Sequence, residues 1–128
     1  MTAQELDAAV AERVMGQLRP QAGPTVELAI APNGGWWAWD GKWQPQPYSQ
    51  DISWAWRVVE KMRELGWGFW LENMWNLLDP PKPGKTWMAC FARDIRSKTA
   101  HFGQSDNPAE AICCAALKAK EDTCSNHP

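Results

Sequence analysis

The chain has 128 residues, of which 22% are charged, and a formal net charge of −2 at pH 7. This length suits one domain with its own core. The near-neutral charge argues against a strongly basic protein that is drawn to nucleic acid by its overall charge, and against a strongly acidic disordered chain. Ten residues are tryptophan, which indicates an unusually aromatic core, an aromatic binding face, or both.

Residues 1–16 contain three acidic side chains and no continuous apolar run, unlike a signal peptide or a membrane span. We therefore expect a cytosolic protein that does not bind membranes. The four cysteines include no C-x-x-C pair, and the two histidines lack zinc-finger spacing. Reduced thiols are expected, with no metal site and no cofactor.

The first predicted element is an amphipathic helix over about residues 3–16. Thr2 and Glu5 have the spacing of a capping box, and apolar residues follow at helical intervals, at Leu6, Val10 and Val14. Glycines and prolines between 16 and 24 end this helix. Residues 26–30 alternate like a strand but are short enough to be one or two helical turns, so both alternatives stay open.

A tryptophan-rich hairpin is predicted over about residues 35–45. Asp40 and Gly41 between apolar runs are a strong signal for a two-residue turn. With that turn, Trp39 pairs with Lys42, Ala38 with Trp43, and Trp37 with Gln44. Large aromatic residues then occupy both faces, so one face is covered by the rest of the chain and the other is covered too or meets a partner.

The remaining pattern predicts a helix, three strands and a closing helix. The first helix covers about 51–65, capped by residues 49–51, and the strands cover about 67–78, 85–93 and 98–102. The closing helix covers about 108–121, with Asn107 as N-cap and Pro108 at its first position. Its narrow face of mostly small residues is expected to let it lie close to the sheet: Ala109, Ile112, Cys113, Ala116 and Leu117.

Because the strands are apolar on both faces, we expect a sheet that is covered on both sides. The predicted fold is α+β, a mainly antiparallel sheet sandwiched by α-helices on both faces. One domain is expected over residues 1–123, and residues 124–128 are expected to form a loose tail.

The order of these elements resembles that of the phage ABA sandwich family, which consists of small proteins encoded by bacteriophages and prophages. The resemblance spans most of the chain and is carried by WWAWDGKW at 36–43, PYSQDISWAWRVV at 47–59 and FGQSDNPAEAICCAALKA at 102–119. It implies helices on both faces of a sheet, with Tyr48 and Ser49 opening the middle helix. It implies no known activity.

From Asp51 onward, the order helix, three strands, helix is also similar to that of a double-stranded-RNA-binding domain. That fold holds phosphates with basic residues at the start of its last helix. Here Asp106 and Glu110 lie in that region, and their charge would repel a phosphate backbone. The similarity therefore indicates shared topology and not shared function.

No catalytic constellation is evident, so we predict that the protein is not an enzyme. His101 has no nucleophile or carboxylate at a supporting spacing, and Cys113 and Cys114 have no basic neighbour that would lower a thiol pKa. No small-molecule substrate is indicated. The candidate binding residues belong to the hairpin, although we expect most of its aromatic surface to be core: Trp36, Trp37, Trp39, Lys42 and Trp43.

The predicted function is that of a small phage or prophage accessory protein, acting in the bacterial host cytoplasm by binding another protein. Self-association as a homodimer is one form of this, because spare aromatic surface often ends in a symmetric contact. The alternative is nucleic-acid binding through the hairpin and the nearby cations Lys42, Lys61 and Lys85, which a salt-dependent affinity would support.

Overall fold

The computed structural model describes residues 1–74, 86–93 and 100–125. Its elements, in chain order, are α1 (Ala3–Ala9), a π-helical segment (Val10–Val14), β1 (Leu28–Ile30), β2 (Trp36–Trp39), β3 (Lys42–Pro45), α2 (Ile52–Glu64), β4 (Gly68–Asn73), β5 (Trp87–Ala92), β6 (Ala100–Ser105) and α3 (Pro108–Ser125). The strands form two three-stranded antiparallel sheets, β1-β2-β3 and β4-β5-β6. The predicted α+β class is confirmed, and the strands are divided between two sheets.

The N-terminal helix begins as predicted but changes its hydrogen bonding halfway. Thr2 caps it, since its hydroxyl accepts a hydrogen bond of 3.1 Å from the N–H of Glu5. After Ala9 the chain continues as a π-helix, in which Met15 donates to the carbonyl of Val10 at 3.0 Å. The predicted helix over about 3–16 thus extends from Ala3 to Val14, and its second half is π-helical and not α-helical.

The hairpin has the predicted turn and register. Trp39 pairs with Lys42, and both turn residues have positive φ, 56° at Asp40 and 79° at Gly41, as a type I′ turn requires. The undecided segment 26–30 contributes strand β1, in which Leu28 pairs with Trp39. β1 turns the predicted two-stranded hairpin into a three-stranded sheet.

Helix α2 begins after Asp51, whose carboxylate accepts a hydrogen bond of 2.8 Å from the N–H of Ser53. Its buried residues, Ala55, Val58, Val59 and Met62, form one face of the helix. Trp56 meets Phe69 of β4 edge-on, with 5.7 Å between the ring centroids. Helix α2 therefore packs on the side of the second sheet that carries Phe69.

The strands of the second sheet differ from their predicted bounds. Strand β4 ends at Asn73, and the predicted continuation over 75–78, the turn over 80–84 and the strand residues 85, 98 and 99 lie outside the described residues. Strand β6 runs past its predicted end at Phe102 to Ser105. The reason is that Gly103, Gln104 and Ser105 continue the ladder opposite Ala89, Met88 and Trp87 of β5.

Helix α3 lies very close to β6. Asn107 caps it by accepting a hydrogen bond of 3.0 Å from the N–H of Ala109, as predicted. A methyl group on Gly103 would lie 2.2 Å from the carbonyl oxygen of Ala111 and 2.6 Å from the nitrogen of Ala115. The sheet is therefore met by the side of α3 that carries these two alanines, next to the predicted small-residue face, which is also buried.

Helix α3 extends to Ser125, so the expected loose tail does not begin at residue 124. Residues 126–128 lie outside the described residues. No helix in the described parts of the chain has both the length and the apolar character needed to cross a membrane.

Candidate binding surface beside the tryptophan hairpin

One side of the first sheet carries large apolar side chains that the described chain leaves in water. The strand register places six residues on this side, which we call the Trp face: Leu28, Ile30, Trp37, Trp39, Lys42 and Gln44. Leu28 is 62% exposed, Ile30 is 70% exposed and Trp39 is 53% exposed. Adjoining apolar residues with more than half of their surface in water are typical of an interaction site.

The opposite side of the same sheet is core. Trp36 is 2% exposed, and its indole N–H donates a hydrogen bond of 2.8 Å to the carbonyl of Gln17. Trp43 is half-buried and donates at 2.9 Å to the carbonyl of Ala22. Both tryptophans therefore hold the loop after the first helix against the sheet. The five predicted site residues thus lie on two sides of the sheet: Trp36 and Trp43 on the core side, and Trp37, Trp39 and Lys42 on the Trp face.

A groove of about 780 Å³ adjoins the Trp face, between the start of α1, the end of β3 and the start of α2. We call it the Trp37–Trp54 groove. Its lining consists mostly of aromatic, proline and amide side chains: Thr2, Ala3, Gln4, Asp7, Trp37, Gln44, Pro45, Gln46, Pro47, Gln50 and Trp54. Trp37 and Gln44 belong to both surfaces, so the groove and the Trp face are continuous.

Several polar groups in this groove have no partner within the described chain. The amides of Gln44 and Gln46 and the indole N–H groups of Trp37 and Trp54 make no hydrogen bond there. Gln46 is only 9% exposed, yet the described residues contain no buried polar side-chain atom without a hydrogen-bond partner. The small accessible part of Gln46 must therefore include its amide, and Gln46 is one of the residues that line the groove.

The floor of the groove is held by a buried carboxylate. Asp7 of α1 is 1% exposed, and it accepts hydrogen bonds of 2.6 Å from the backbone N–H of Ser49 and 2.8 Å from the side-chain amide of Gln50. Each carboxylate oxygen thus has one donor, as a buried charge requires. The contact fixes the start of α1 against the segment that leads into α2.

The wall formed by Trp54 is held by two neighbours. Arg57 lies over its ring at 4.1 Å from the centroid, and Tyr48 meets it edge-on at 5.6 Å. Tyr48 is itself buried and donates a hydrogen bond to the side-chain carbonyl of Gln17. Burial raises the pKa of Tyr48 from 10.0 to about 12, although Arg57 and the Gln17 hydrogen bond oppose the shift.

The thiols and histidine that the sequence singled out form no reactive cluster among the described residues. Burial raises the pKa of the thiols of Cys90, Cys113 and Cys114. His101 lies in β6 with its ring 5.6 Å from that of Trp67. Within the described ranges, no three histidine, cysteine or acidic side chains are grouped so that they could hold a metal ion.

A second exposed aromatic pair lies on the other sheet. Trp70 of β4 is 56% exposed and Phe102 of β6 is 43% exposed, and both flank Cys90 on the side of the sheet that faces away from α2 and α3. This pair is smaller than the Trp face. It supplies matched controls for experiments on the Trp face.

Sequence reasoning missed part of this surface. Leu28 and Ile30 stayed unassigned because a three-residue strand is too short to show its period. Trp54 was placed only within the predicted helix over about 51–65, and Gln46 was given no role. The alternation of glutamine and proline over residues 44–47 is the signal that would have pointed to the groove.

Comparison with known proteins supports the fold. A search of curated proteins gave no significant match. The structure is similar to the 2.0 Å crystal structure of a phage protein from Bacillus cereus ATCC 14579, with a TM-score of 0.57 and 20% identity over 93% of this chain and 92% of that one. At this identity the likeness shows the fold alone.

The second resemblance, to a double-stranded-RNA-binding domain, is not confirmed by these comparisons. The model of the phage ABA sandwich domain, in contrast, matches residues 8–117. This range begins near the end of α1, includes all six strands and α2, and ends within α3. The chain therefore belongs to the phage ABA sandwich domain family.

Proposed function

We propose that this member of a phage protein family is a non-catalytic accessory protein that acts in the bacterial host cytoplasm by binding another protein through the Trp face. The proposal rests on the exposure of Leu28, Ile30 and Trp39 to solvent. A second copy of the chain is one partner that this surface would accept, since a symmetric contact would cover the same apolar residues on both copies.

The free energy available from covering the Trp face is large. Burying the exposed half of one indole removes on the order of 100 Å² of apolar surface from water, which is worth about 2–3 kcal/mol. Leu28 and Ile30, directly across β2, would add to this. Tryptophans near the centre of an interface are the residues that most often dominate binding energy.

The state of the thiols supports a non-catalytic role. A nucleophilic cysteine needs a depressed pKa, which comes from a cationic neighbour or a helix N-terminus. The pKa of the thiols of Cys90, Cys113 and Cys114 is raised by burial, so these groups stay protonated and unreactive near neutral pH.

Nucleic-acid binding is less well supported, because the two lysines of this alternative that the structure describes lie on different surfaces. Lys42 lies on the Trp face near Asp40 of the turn, and Lys61 lines a different groove together with Arg57, Glu60 and Glu64. Lys85 lies outside the described residues. A phosphate-binding surface needs several adjacent cations, whose contacts make the affinity strongly dependent on salt.

The test is a capture experiment with tagged protein from host lysate, run with and without nuclease and read by mass spectrometry. Wild type is compared with Trp39→Ser and with Trp70→Ser, which removes a tryptophan of similar exposure from the other sheet. Sedimentation of the three proteins alone reports self-association.

The proposal expects a protein, or a second copy, that survives nuclease, is retained by Trp70→Ser and is lost with Trp39→Ser. A species that disappears after nuclease treatment would instead favour nucleic-acid binding. Equal binding by all three proteins, or no partner and no self-association, would overturn the proposal.

A further inference from the structure

We propose that the Trp37–Trp54 groove binds a proline-rich segment of the partner protein in the polyproline II conformation. This inference rests on the proposed function and deepens it, because it names the chemistry of one part of the partner. The groove is continuous with the Trp face through Trp37 and Gln44, so one partner can occupy both.

The unpartnered groups of the groove would be best satisfied by a ligand that is rich in hydrogen-bond acceptors. An indole supplies one N–H donor and no acceptor, and a glutamine amide supplies two N–H donors and one oxygen. Among Trp37, Trp54, Gln44 and Gln46, donors therefore outnumber acceptors. A proline-rich chain matches this set, because each residue offers a carbonyl and each proline lacks an N–H. Sugar hydroxyls match it less well, since each brings its own donor.

The burial of Gln46 is the observation that points most directly to a ligand. A polar side chain that is nine-tenths buried normally has a partner within the protein. Here the amide has none among the described residues, and Gln46 lines the groove. A carbonyl of a bound peptide would satisfy it without any change in the fold.

The charge of the groove excludes anionic ligands. No lysine or arginine lines it, and the carboxylate of Asp7 lies at its floor. A phosphate group would meet this negative charge with no lysine or arginine in the lining to contact it. The segment is therefore neutral or positively charged.

The apolar walls fit the same kind of segment. Trp37 and Trp54 supply aromatic surfaces, and Pro45 and Pro47 supply rigid apolar edges. Proline-rich peptides bind in aromatic-lined grooves of this kind because they hold the extended polyproline II conformation before binding and lose little entropy.

The test is a peptide titration of ¹⁵N-labelled full-length protein, followed through the indole and side-chain amide signals. One probe is an oligoproline peptide. The second is LDPPKPGKT, the chain's own residues 78–86, in which Pro80 and Pro83 have the spacing of a P-x-x-P motif. The controls are the same peptide with its three prolines replaced by alanine, and cellotetraose as a neutral sugar.

The protein variants are Gln46→Ala and Trp56→Phe. Gln46 makes no side-chain hydrogen bond within the described chain, so its truncation removes buried side-chain packing but no internal hydrogen bond, and thermal unfolding of the variant is recorded beside that of wild type. Trp56 is an exposed tryptophan of α2 that lies outside the groove and serves as the matched control.

The expected result is that at least one proline-rich peptide shifts the indole signals of Trp37 and Trp54 and the amide signal of Gln46, while the alanine peptide does not. Gln46→Ala should weaken binding roughly tenfold, as the loss of one buried hydrogen bond does, and Trp56→Phe should not. Binding of LDPPKPGKT alone would support the inference and identify a second copy as the partner.

The inference is overturned if neither proline-rich peptide shifts these signals, if the alanine peptide acts equally well, or if only cellotetraose does. The outcome is separate from that of the capture experiment. If the peptide binds but Trp39→Ser still captures every species, the groove is supported as a peptide site and the Trp face is contradicted as a binding surface. If the peptide does not bind but Trp39→Ser loses its partner, the Trp face is supported and the groove is contradicted.

Discussion

The carboxylate of Asp7 accepts a hydrogen bond of 2.6 Å from the backbone N–H of Ser49, which lies 42 residues further along the chain. The carbonyl of Ser49 in turn accepts a hydrogen bond of 3.2 Å from the side-chain amide of Asn107, the N-cap of α3. One buried carboxylate thus begins a chain of contacts that joins the starts of all three helices. The floor of the groove depends on this non-local connection.

Replacing Asp7 by alanine should destabilise the fold. The backbone N–H of Ser49 would stay buried without an acceptor, at a cost of about 1–3 kcal/mol or more because the lost partner is charged. Asp7→Asn keeps one oxygen for that N–H and should cost less. Urea unfolding of both variants measures the difference, and equal stability of wild type and Asp7→Ala would contradict the role given to this carboxylate.

Trp36 and Trp39 belong to the same strand, but their truncation should lower the free energy of unfolding by different amounts. Trp36→Ala opens a cavity in the core and should cost roughly 3–5 kcal/mol of unfolding free energy. Trp39→Ala removes a side chain that is half exposed and leaves no cavity in the core, so it should cost less, about 1 kcal/mol. Chemical denaturation of the two variants is the measurement, and a comparable loss at Trp39 would show that the Trp face is covered within the chain.

Gly103 should not tolerate a side chain, because its backbone lies against that of α3. A methyl group there would lie 2.2 Å from the carbonyl oxygen of Ala111, so α3 must move away from β6. Gly103→Ala should therefore cost about 1–3 kcal/mol. Gly23→Ala is the control, since a methyl group at Gly23 meets nothing within 4 Å. If both variants unfold at the same denaturant concentration, the close approach of helix and sheet is wrong.

Tyr48 should make stability depend on alkaline pH. Its pKa is about 12 in the folded protein and near 10.0 when unfolded, so the folded state favours the protonated phenol. The stabilisation is present below pH 10.0 and is lost as the pH rises toward 12. Because Tyr48 is the chain's single tyrosine, tyrosinate absorbance follows this group alone.

A tyrosinate titration of the folded protein should thus have its midpoint near pH 12, and the same titration in denaturant should return it to about 10.0. The free energy of unfolding of Tyr48→Phe should fall less with rising pH than that of wild type. A folded-state midpoint at the ordinary value would mean that the phenol is exposed to solvent and not buried.

The parts of the fold that the sequence predicts well are those decided by neighbouring residues. The register of the hairpin follows from Asp40 and Gly41, which adopt positive φ within a two-residue turn. The starts of α2 and α3 follow from Asp51 and Asn107, whose side chains cap the adjacent helix. Each of these features rests on backbone preferences and hydrogen bonds within a few residues.

Sequence alone also determined that the hairpin has two aromatic sides, because side chains alternate along a strand. Only the tertiary structure decided which side is core, since that depends on the loop that accepts the hydrogen bonds of Trp36 and Trp43. The Trp37–Trp54 groove was decided in the same way, by the contact of Asp7 with Ser49. Contacts between distant segments leave no periodic pattern in the sequence, and for that physical reason the binding surface became visible only once the chain was folded.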